Sequence, residues 1–376
     1  MNNFLVLIHR IYKNGILKRG GADYIIDYLS FKSHNYLSIE HPLNSDDCSY
    51  IKKNGKLIKR FKLFGKSCAV WIQEFFYNFF YILISRRCNY DFILAVDPLN
   101  FLSAFAIKLF NGGKIHFHSV DYSENRFGNK TLDSIYNLIY KFTVKNADIV
   151  TYVSPIMGEK IKSLSPNFKQ RVLFYLPNSP EFKKIPKVDP SKKNTSDLVF
   201  TKSFISDSEV DLLINIVGRV SEVKNNIVLN LIGNLSDTAK KKIIESKVSK
   251  NIKTYGLVPY KKNLRIISNS YIGIAWYENK ISFEKYADSL KIREYAASGL
   301  PSICNNKIST AHEMEKVGAG IIANDAKEVA EGILLLMSDK HKYEQMRNRA
   351  LKWAEEMDKV KIMDKLYKHI VSHEEK

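Results

Sequence analysis

The chain is short of cysteine, of acid and of long apolar runs. Its four cysteines, Cys48, Cys68, Cys88 and Cys304, are scattered and form no CxxC pair. That argues against a disulfide framework or a zinc site, and for a reducing compartment. No uninterrupted apolar stretch reaches the roughly 18 residues that a membrane-spanning helix needs. The opening segment, Met1-Asn-Asn-Phe-Leu-Val-Leu-Ile-His-Arg10, is too briefly apolar for a signal peptide and reads as a first strand. No Asp-x-Asp motif is present, and no metal is expected. No nucleic-acid-binding motif is evident either.

Acid is scarce relative to base. The 376 residues hold 58 Lys and Arg against 39 Asp and Glu, a formal net charge of +19. The first 190 residues carry 27 basic and 15 acidic side chains, the remainder 31 and 24. Such a field draws anions: nucleotides, nucleic acid or an acidic membrane face. A Lys- and Asn-rich genome would account for part of it. Apolar residues make up 45% and charged residues 26%, the balance of a soluble globular protein long enough for two cores.

Apolar runs of strand length alternate with helical patterns. Phe4 to Ile8 is the first buried-type strand, followed by Gly20-Gly21 and a helix from Tyr24. That loop is neither GxGxxG nor a Walker loop; it suits a ligand approaching backbone amides, or a plain tight turn. Tyr90 to Asp97, Lys114 to His118 and Asp148 to Val153 continue the series. Residues 179–196 read as a linker with four prolines in 177–196. Beyond it the alternation resumes, through Val228 to Gly233 and Tyr271 to Trp276, to helices at about 326–338 and 340–372. The fold class is α/β: two doubly wound parallel-sheet domains facing a cleft, at 1–178 and 197–345, with 346–376 returning toward the first.

Three stretches carry chemistry. In Asp288-Ser-Leu-Lys-Ile-Arg-Glu-Tyr-Ala-Ala-Ser-Gly-Leu-Pro301, Lys291 and Glu294 share one helix face. A cation at a helix start suits a diphosphate and a carboxylate suits ribose hydroxyls, while an ordinary surface ion pair would leave the same pattern. On the loop after Lys114 to His118 lie Asp121, a candidate general base, and His118, Glu124 and Arg126 for an acceptor. Asp121 would equally serve an Asx turn or a helix cap. From Tyr50 to Lys66 come Lys52, Lys53, Lys56, Lys59, Arg60, Lys62 and Lys66 with no acid, just before an aromatic helix containing Trp71. That combination suits an anionic membrane surface, or a solvated basic loop before a buried helix.

The second half resembles the GT-B glycosyltransferases of the large "group 1" superfamily, of the family 4 type. The resemblance rests on Lys291, Glu294, Tyr295, Ala297, Gly299 and Pro301, with weaker likeness at Gly20-Gly21, Val120-Asp-Tyr-Ser123, Leu231-Ile-Gly233 and Gly318-Ala-Gly320. It implies that Glu294 binds ribose, Lys291 the diphosphate, and the first domain a glycan or polyprenyl-linked acceptor. Lys202, Ser289, Tyr286 and Glu278 would complete the donor site, and Gly20 and Gly21 the acceptor site. Many relatives carry a second Glu where this chain has Tyr286, and a glycine turn where it has Thr201 to Glu209. The implied function is hexosyl transfer from a nucleotide-diphosphate sugar, without metal or cofactor, in cell-surface polysaccharide synthesis on the cytoplasmic face of the membrane. A degenerate scaffold subunit and a nucleotide-sugar epimerase are the alternatives, and a nucleic-acid partner is not expected.

Overall fold

Continuous apolar segments become the central parallel strands. A computed structural model of the chain describes residues 2–13, 16–18, 23–43, 48–64, 68–84, 89–166, 172–278 and 284–372. Gly20, Gly21 and Lys66 lie outside the described residues. The chain divides into two units, Met1–Pro177 with Ile362–Lys376, and Asn178–Lys361.

The first unit has strands β1 (Asn3–Lys13), β2 (Ile16–Lys18), β3 (Asn35–Pro42), β4 (Cys48–Lys53), β5 (Lys56–Lys62), β6 (Phe92–Ala95), β7 (Lys114–Ser119), β8 (Ile149–Tyr152) and β9 (Val172–Tyr175). Between them come helices α1 (Asp23–Phe31), α2 (Cys68–Ile84), α3 (Pro98–Asn111), α4 (Lys130–Asn146) and α5 (Pro155–Leu164). The strand order is β5-β4-β3-β1-β6-β7-β8-β9, with β2 antiparallel on β1. Strands β3 to β9 on this path are parallel except at the β3-β4-β5 edge, where pairing is antiparallel. Phe4 to Ile8 are at most 1% exposed, as a strand covered on both faces must be.

The basic stretch is neither a loop nor a helix. It folds into the β4-β5 hairpin, turned by Asn54 (φ 49°) and Gly55 (φ 80°). Two consecutive left-handed residues are what a tight hairpin needs, and Asn-Gly supplies them at low cost.

The second unit has strands β10 (Asp197–Ile205), β11 (Val228–Leu235), β12 (Ile252–Gly256), β13 (Ile272–Ala275), β14 (Ser302–Cys304) and β15 (Gly320–Ile322). Its helices are α6 (Asp207–Ser221), α7 (Asp237–Glu245), α8 (Tyr260–Asn269), α9 (Leu290–Ala297), α10 (Ser309–Lys316), α11 (Ala326–Ser338) and α12 (Lys340–Glu356). All pairs in the sheet β12-β11-β10-β13-β14-β15 are parallel. Alternate residues feed two cores, Leu198 and Phe200 into one and Val199 into the other, so both faces are covered.

Two boundaries differ from expectation. Residues 179–196 belong to the second unit, and so does α12; the return to the first unit falls at Ile362. The helix expected over 340–372 is broken after Glu356, and Asp358 accepts from the amides of Val360 and Lys361 to start α13 (Lys359–Ser372). Tyr367 of α13 stacks on Tyr28 and meets Phe4 edge-on, which fixes the returning helix to the first unit.

Candidate donor site and acceptor-side clusters

The expected helix over the 288–301 motif forms as α9. Ser289 caps it by accepting from the Ile292 amide, and its own amide donates to the Thr310 hydroxyl at 2.9 Å. The Tyr277 hydroxyl is bonded to Ser289 Oγ. At the other end Gly299, with φ 68°, closes the helix, and the Leu300 amide donates to the Tyr295 carbonyl. Tyr295 accounts for the aromatic position of the motif. Its ring lies against Gly273, where an added Cβ would sit 2.4 Å from the ring, and its hydroxyl donates to the Ile274 carbonyl and accepts from the Thr201 amide. The helix is thereby pinned to β10 and β13.

Lys291 and Glu294 do share a face of α9, but they are not an ion pair. Lys291 is partly exposed along its stem, yet its Nζ is out of reach of solvent and has no hydrogen-bond partner. The ammonium instead lies 4.9 Å from the Tyr277 ring centroid and 5.4 Å from that of Phe200. Burial, aided by the nearby Lys202, pushes its pKa down to about 8, against the pull of Glu209, Glu284 and Glu294. Glu294 is 4% exposed and accepts from the Tyr260 hydroxyl at 2.7 Å. Burial raises its carboxyl to about 7, although Tyr260 and Lys291 favour the ionised form.

The other residues expected at a donor site are already engaged. Lys202 is paired with the fully buried carboxylate of Glu209 at 2.7 Å. Glu209 also accepts from the Ser206 amide in a capping box that starts α6. Glu278 accepts from Ser206 Oγ at 3.2 Å and Ser208 Oγ at 2.5 Å. Tyr286 is buried. The glycine missing from the segment after Phe200 has a counterpart on the next strand. Gly233, with φ 152°, comes so close that an added Cβ would lie 2.0 Å from the Lys202 carbonyl oxygen. A close backbone approach is thus built from β11, beside the register shift in β10 between Thr201 and Phe204.

In the first unit, Asp121 is paired with Arg126 at 3.2 Å, and the guanidinium lies 5.1 Å from the Tyr136 ring centroid. Glu124 is paired with Lys160 at 2.9 Å. His118 is fully buried, and its Nδ1 lies 2.9 Å from Thr151 Oγ1. Lys52 is committed to Glu40 at 2.6 Å, while Lys53, Lys56, Lys59, Arg60 and Lys62 are exposed. Trp71 is half-buried against Phe127, with ring centroids 5.3 Å apart.

A cluster that sequence reasoning missed joins His9 of β1 to Glu74 of α2 and to Asp97, just beyond β6. His9 has Asp97 Oδ2 at 2.6 Å from Nδ1 and Glu74 Oε2 at 3.0 Å from Nε2. A carboxylate on each nitrogen makes it an imidazolium. Burial lowers its pKa, but Asp97 and Glu74 outweigh burial and push it up to about 10. Asp97 meanwhile caps α3, accepting from the amides of Leu99 and Asn100.

Residues 214–370 match the family model for the glucosyltransferase 3-like, C-terminal domain. The whole chain is similar to Anabaena HepE solved with UDP, at 12% identity over 98% of this chain and 99% of that one, with a TM-score of 0.70. The chain has the GT-B glycosyltransferase fold. Similar again are sucrose-phosphate synthase of Thermosynechococcus elongatus (12% identity, 98% and 99% covered, TM-score 0.65) and an E. coli trehalose-6-phosphate structure bound with UDP-2-fluoro glucose (13%, 98% and 98%, 0.67). No curated protein matches the chain in sequence. Among the described residues no helix is long and apolar enough to cross a membrane, and no three His, Cys, Asp or Glu are grouped to hold a metal ion.

Proposed function

We propose that the chain is a glycosyltransferase that takes a hexosyl group from a nucleoside-diphosphate sugar, with UDP as the carrier. The observation that carries this reading is the Lys291 ammonium, buried without a hydrogen-bond partner three residues from a Glu294 carboxylate of which only one oxygen is engaged. A desolvated cation left unpaired is costly unless a ligand completes it. A diphosphate would do so, and the interaction would strengthen as the leaving group gains charge in the transition state. The bond from the anomeric carbon to the diphosphate oxygen breaks as the bond to the acceptor oxygen forms. Asp121 would receive the acceptor proton in an inverting reaction; in a retaining one the diphosphate would take it. Lys291 carries the leaving-group charge without a metal ion.

The acceptor is read as a glycan or polyprenyl-linked saccharide at the cytoplasmic face of the membrane, in cell-surface glycoconjugate synthesis. Helix α2 supports the membrane contact because its sidedness is inverted. Its buried stripe is polar, with Glu74 4% and Asn78 1% exposed, while Ile72, Phe76 and Phe80 are 58%, 47% and 53% exposed. Exposed apolar residues on one helix face mark an interaction surface. The basic β5 strand runs alongside, tied to α2 by Gln73 on the Phe64 amide and by stacking of Phe61 on Tyr77. Apolar residues flanked by lysines match an anionic lipid interface.

A thermal-shift series of nucleotide sugars tests the donor claim. One donor should raise the midpoint by mass action in the native chain and not in Lys291→Met. A chain stabilised by none of them would be a scaffold, the reading that the engagement of Lys202 with Glu209 favours.

A further inference from the structure

Tyr260 stands at the first turn of α8, after the loop that begins at Gly256 (φ 65°). Leu264 and Ile267 bury the inner face of that helix, so the position of Tyr260 is fixed. The residue is 42% exposed, and its hydroxyl reaches across 34 residues of sequence to Glu294 Oε1 at 2.7 Å. No other hydrogen bond to the Glu294 carboxylate is formed by a described residue, so Oε2 is left for a ligand. Besides Tyr260, the group that draws on the Glu294 carboxylate is the cation of Lys291, on the same helix face. A Lys and a Glu three residues apart ordinarily close on each other. That closure would satisfy both groups and leave neither for a nucleotide.

We infer that Tyr260 is a positioning residue: its hydroxyl holds Glu294 away from Lys291 and aims the free carboxylate oxygen at a ribose diol, which gives the site its preference for ribonucleoside over deoxyribonucleoside diphosphates. The inference rests on the reading of Lys291 and Glu294 as a nucleoside-diphosphate site. An aimed carboxylate accepts from two adjacent hydroxyls, one on Oε2 and one on the second lone pair of Oε1. A deoxyribose offers one donor fewer and leaves part of a buried charge unsatisfied. In a carboxylate drawn onto Lys291, neither sugar is read.

Calorimetric titration with UDP and 2′-deoxy-UDP tests this on the full chain, in the native protein, Tyr260→Phe, Glu294→Gln and the double variant. The native protein should favour UDP by about tenfold, one charge-assisted hydrogen bond. Tyr260→Phe keeps the ring, so the fold should persist; its UDP affinity should fall by about tenfold, its 2′-deoxy-UDP affinity by less, and the ratio should move toward one. In the Glu294→Gln background the same change should have little further effect, the mark of action through Glu294. An unchanged ratio in Tyr260→Phe, or additive losses in the double variant, would overturn the positioning role while leaving the donor site standing. Failure of the native protein to bind either diphosphate overturns the donor reading itself, and this inference with it.

Discussion

His9 and Lys291 are both cations withdrawn from water, and the two units treat them in opposite ways. His9 is clamped between Asp97 and Glu74, and its pKa is pushed up to about 10. Lys291 has aromatic rings around it and no hydrogen-bond partner, and its pKa is pushed down to about 8. A buried charge with its partners supplied by the chain holds the fold together. One left without them is kept for something that arrives later. On the proposed function, the contrast is between an architectural ion cluster in the first unit and a cation proposed to bind a ligand in the second.

Removing Lys291 should give the largest effect. Lys291→Met is expected to lower kcat/KM for a nucleotide-sugar donor by about 10³-fold, the scale of a lost transition-state charge contact. The ligand-free protein should melt no lower than the native one, because no hydrogen-bonded partner is orphaned. Initial rates and a thermal scan check the two halves together, and a lowered melting point would mean that the lysine is structural after all.

His9→Ala should act the other way round. It leaves Asp97 and Glu74 facing each other without a counter-charge, a loss of about 3–5 kcal/mol in urea unfolding. An unshifted unfolding midpoint would show that the cluster is not architectural.

Neither cluster was fully legible in the sequence, for one physical reason. Strands such as Phe4 to Ile8 announce themselves locally, since burial on both faces demands an unbroken apolar run. The α9 helix is equally local, with its cap, its face and its Gly299 stop. Partners that meet through the tertiary fold leave no such trace. His9 finds Glu74 and Asp97 across 65 and 88 residues, and Glu294 finds Tyr260 across 34. The pair Lys291 and Glu294 is even misleading locally, because its spacing suggests an ion pair that Tyr260 and burial prevent. The β4-β5 hairpin is different: its turn is local, with Asn54-Gly55 supplying the two left-handed residues between the basic strands.

The contrast also fixes the sign of the pH dependence. His9 has a folded pKa of about 10 against 6.5 unfolded, so its stabilisation is fully present below 6.5 and is lost as pH rises through 10. Lys291 has a folded pKa of about 8 against 10.5 unfolded, so the native state sheds the proton first, and the penalty of its buried charge fades between 8 and 10.5. The stability gap between native protein and His9→Ala should therefore narrow above pH 6.5, and any advantage of Lys291→Met should shrink above pH 8. Urea midpoints across pH 6 to 10 test both, and parallel curves for all three proteins would contradict the opposed roles.

The smallest effect concerns the surface beside the His9 cluster. Glu74 and Asn78 turn inward to His9 and His41, and the same helical periodicity turns Ile72, Phe76 and Phe80 outward. The polar cluster and the exposed apolar stripe are thus two sides of one helix: holding α2 by its polar side sets its aromatic side facing solvent. If that side meets lipid, Arg60→Gln on the adjoining strand should weaken binding to vesicles containing anionic lipid by about fivefold, roughly 1 kcal/mol for one charge near the surface. Phe76→Ser should weaken binding at high salt as well, where screening has removed most of the charge contribution. Flotation that depends on neither substitution would detach the first unit from the membrane. His9→Ala then gives a cross-check, since loosening the inner side of α2 should reduce vesicle binding though no exposed residue has changed.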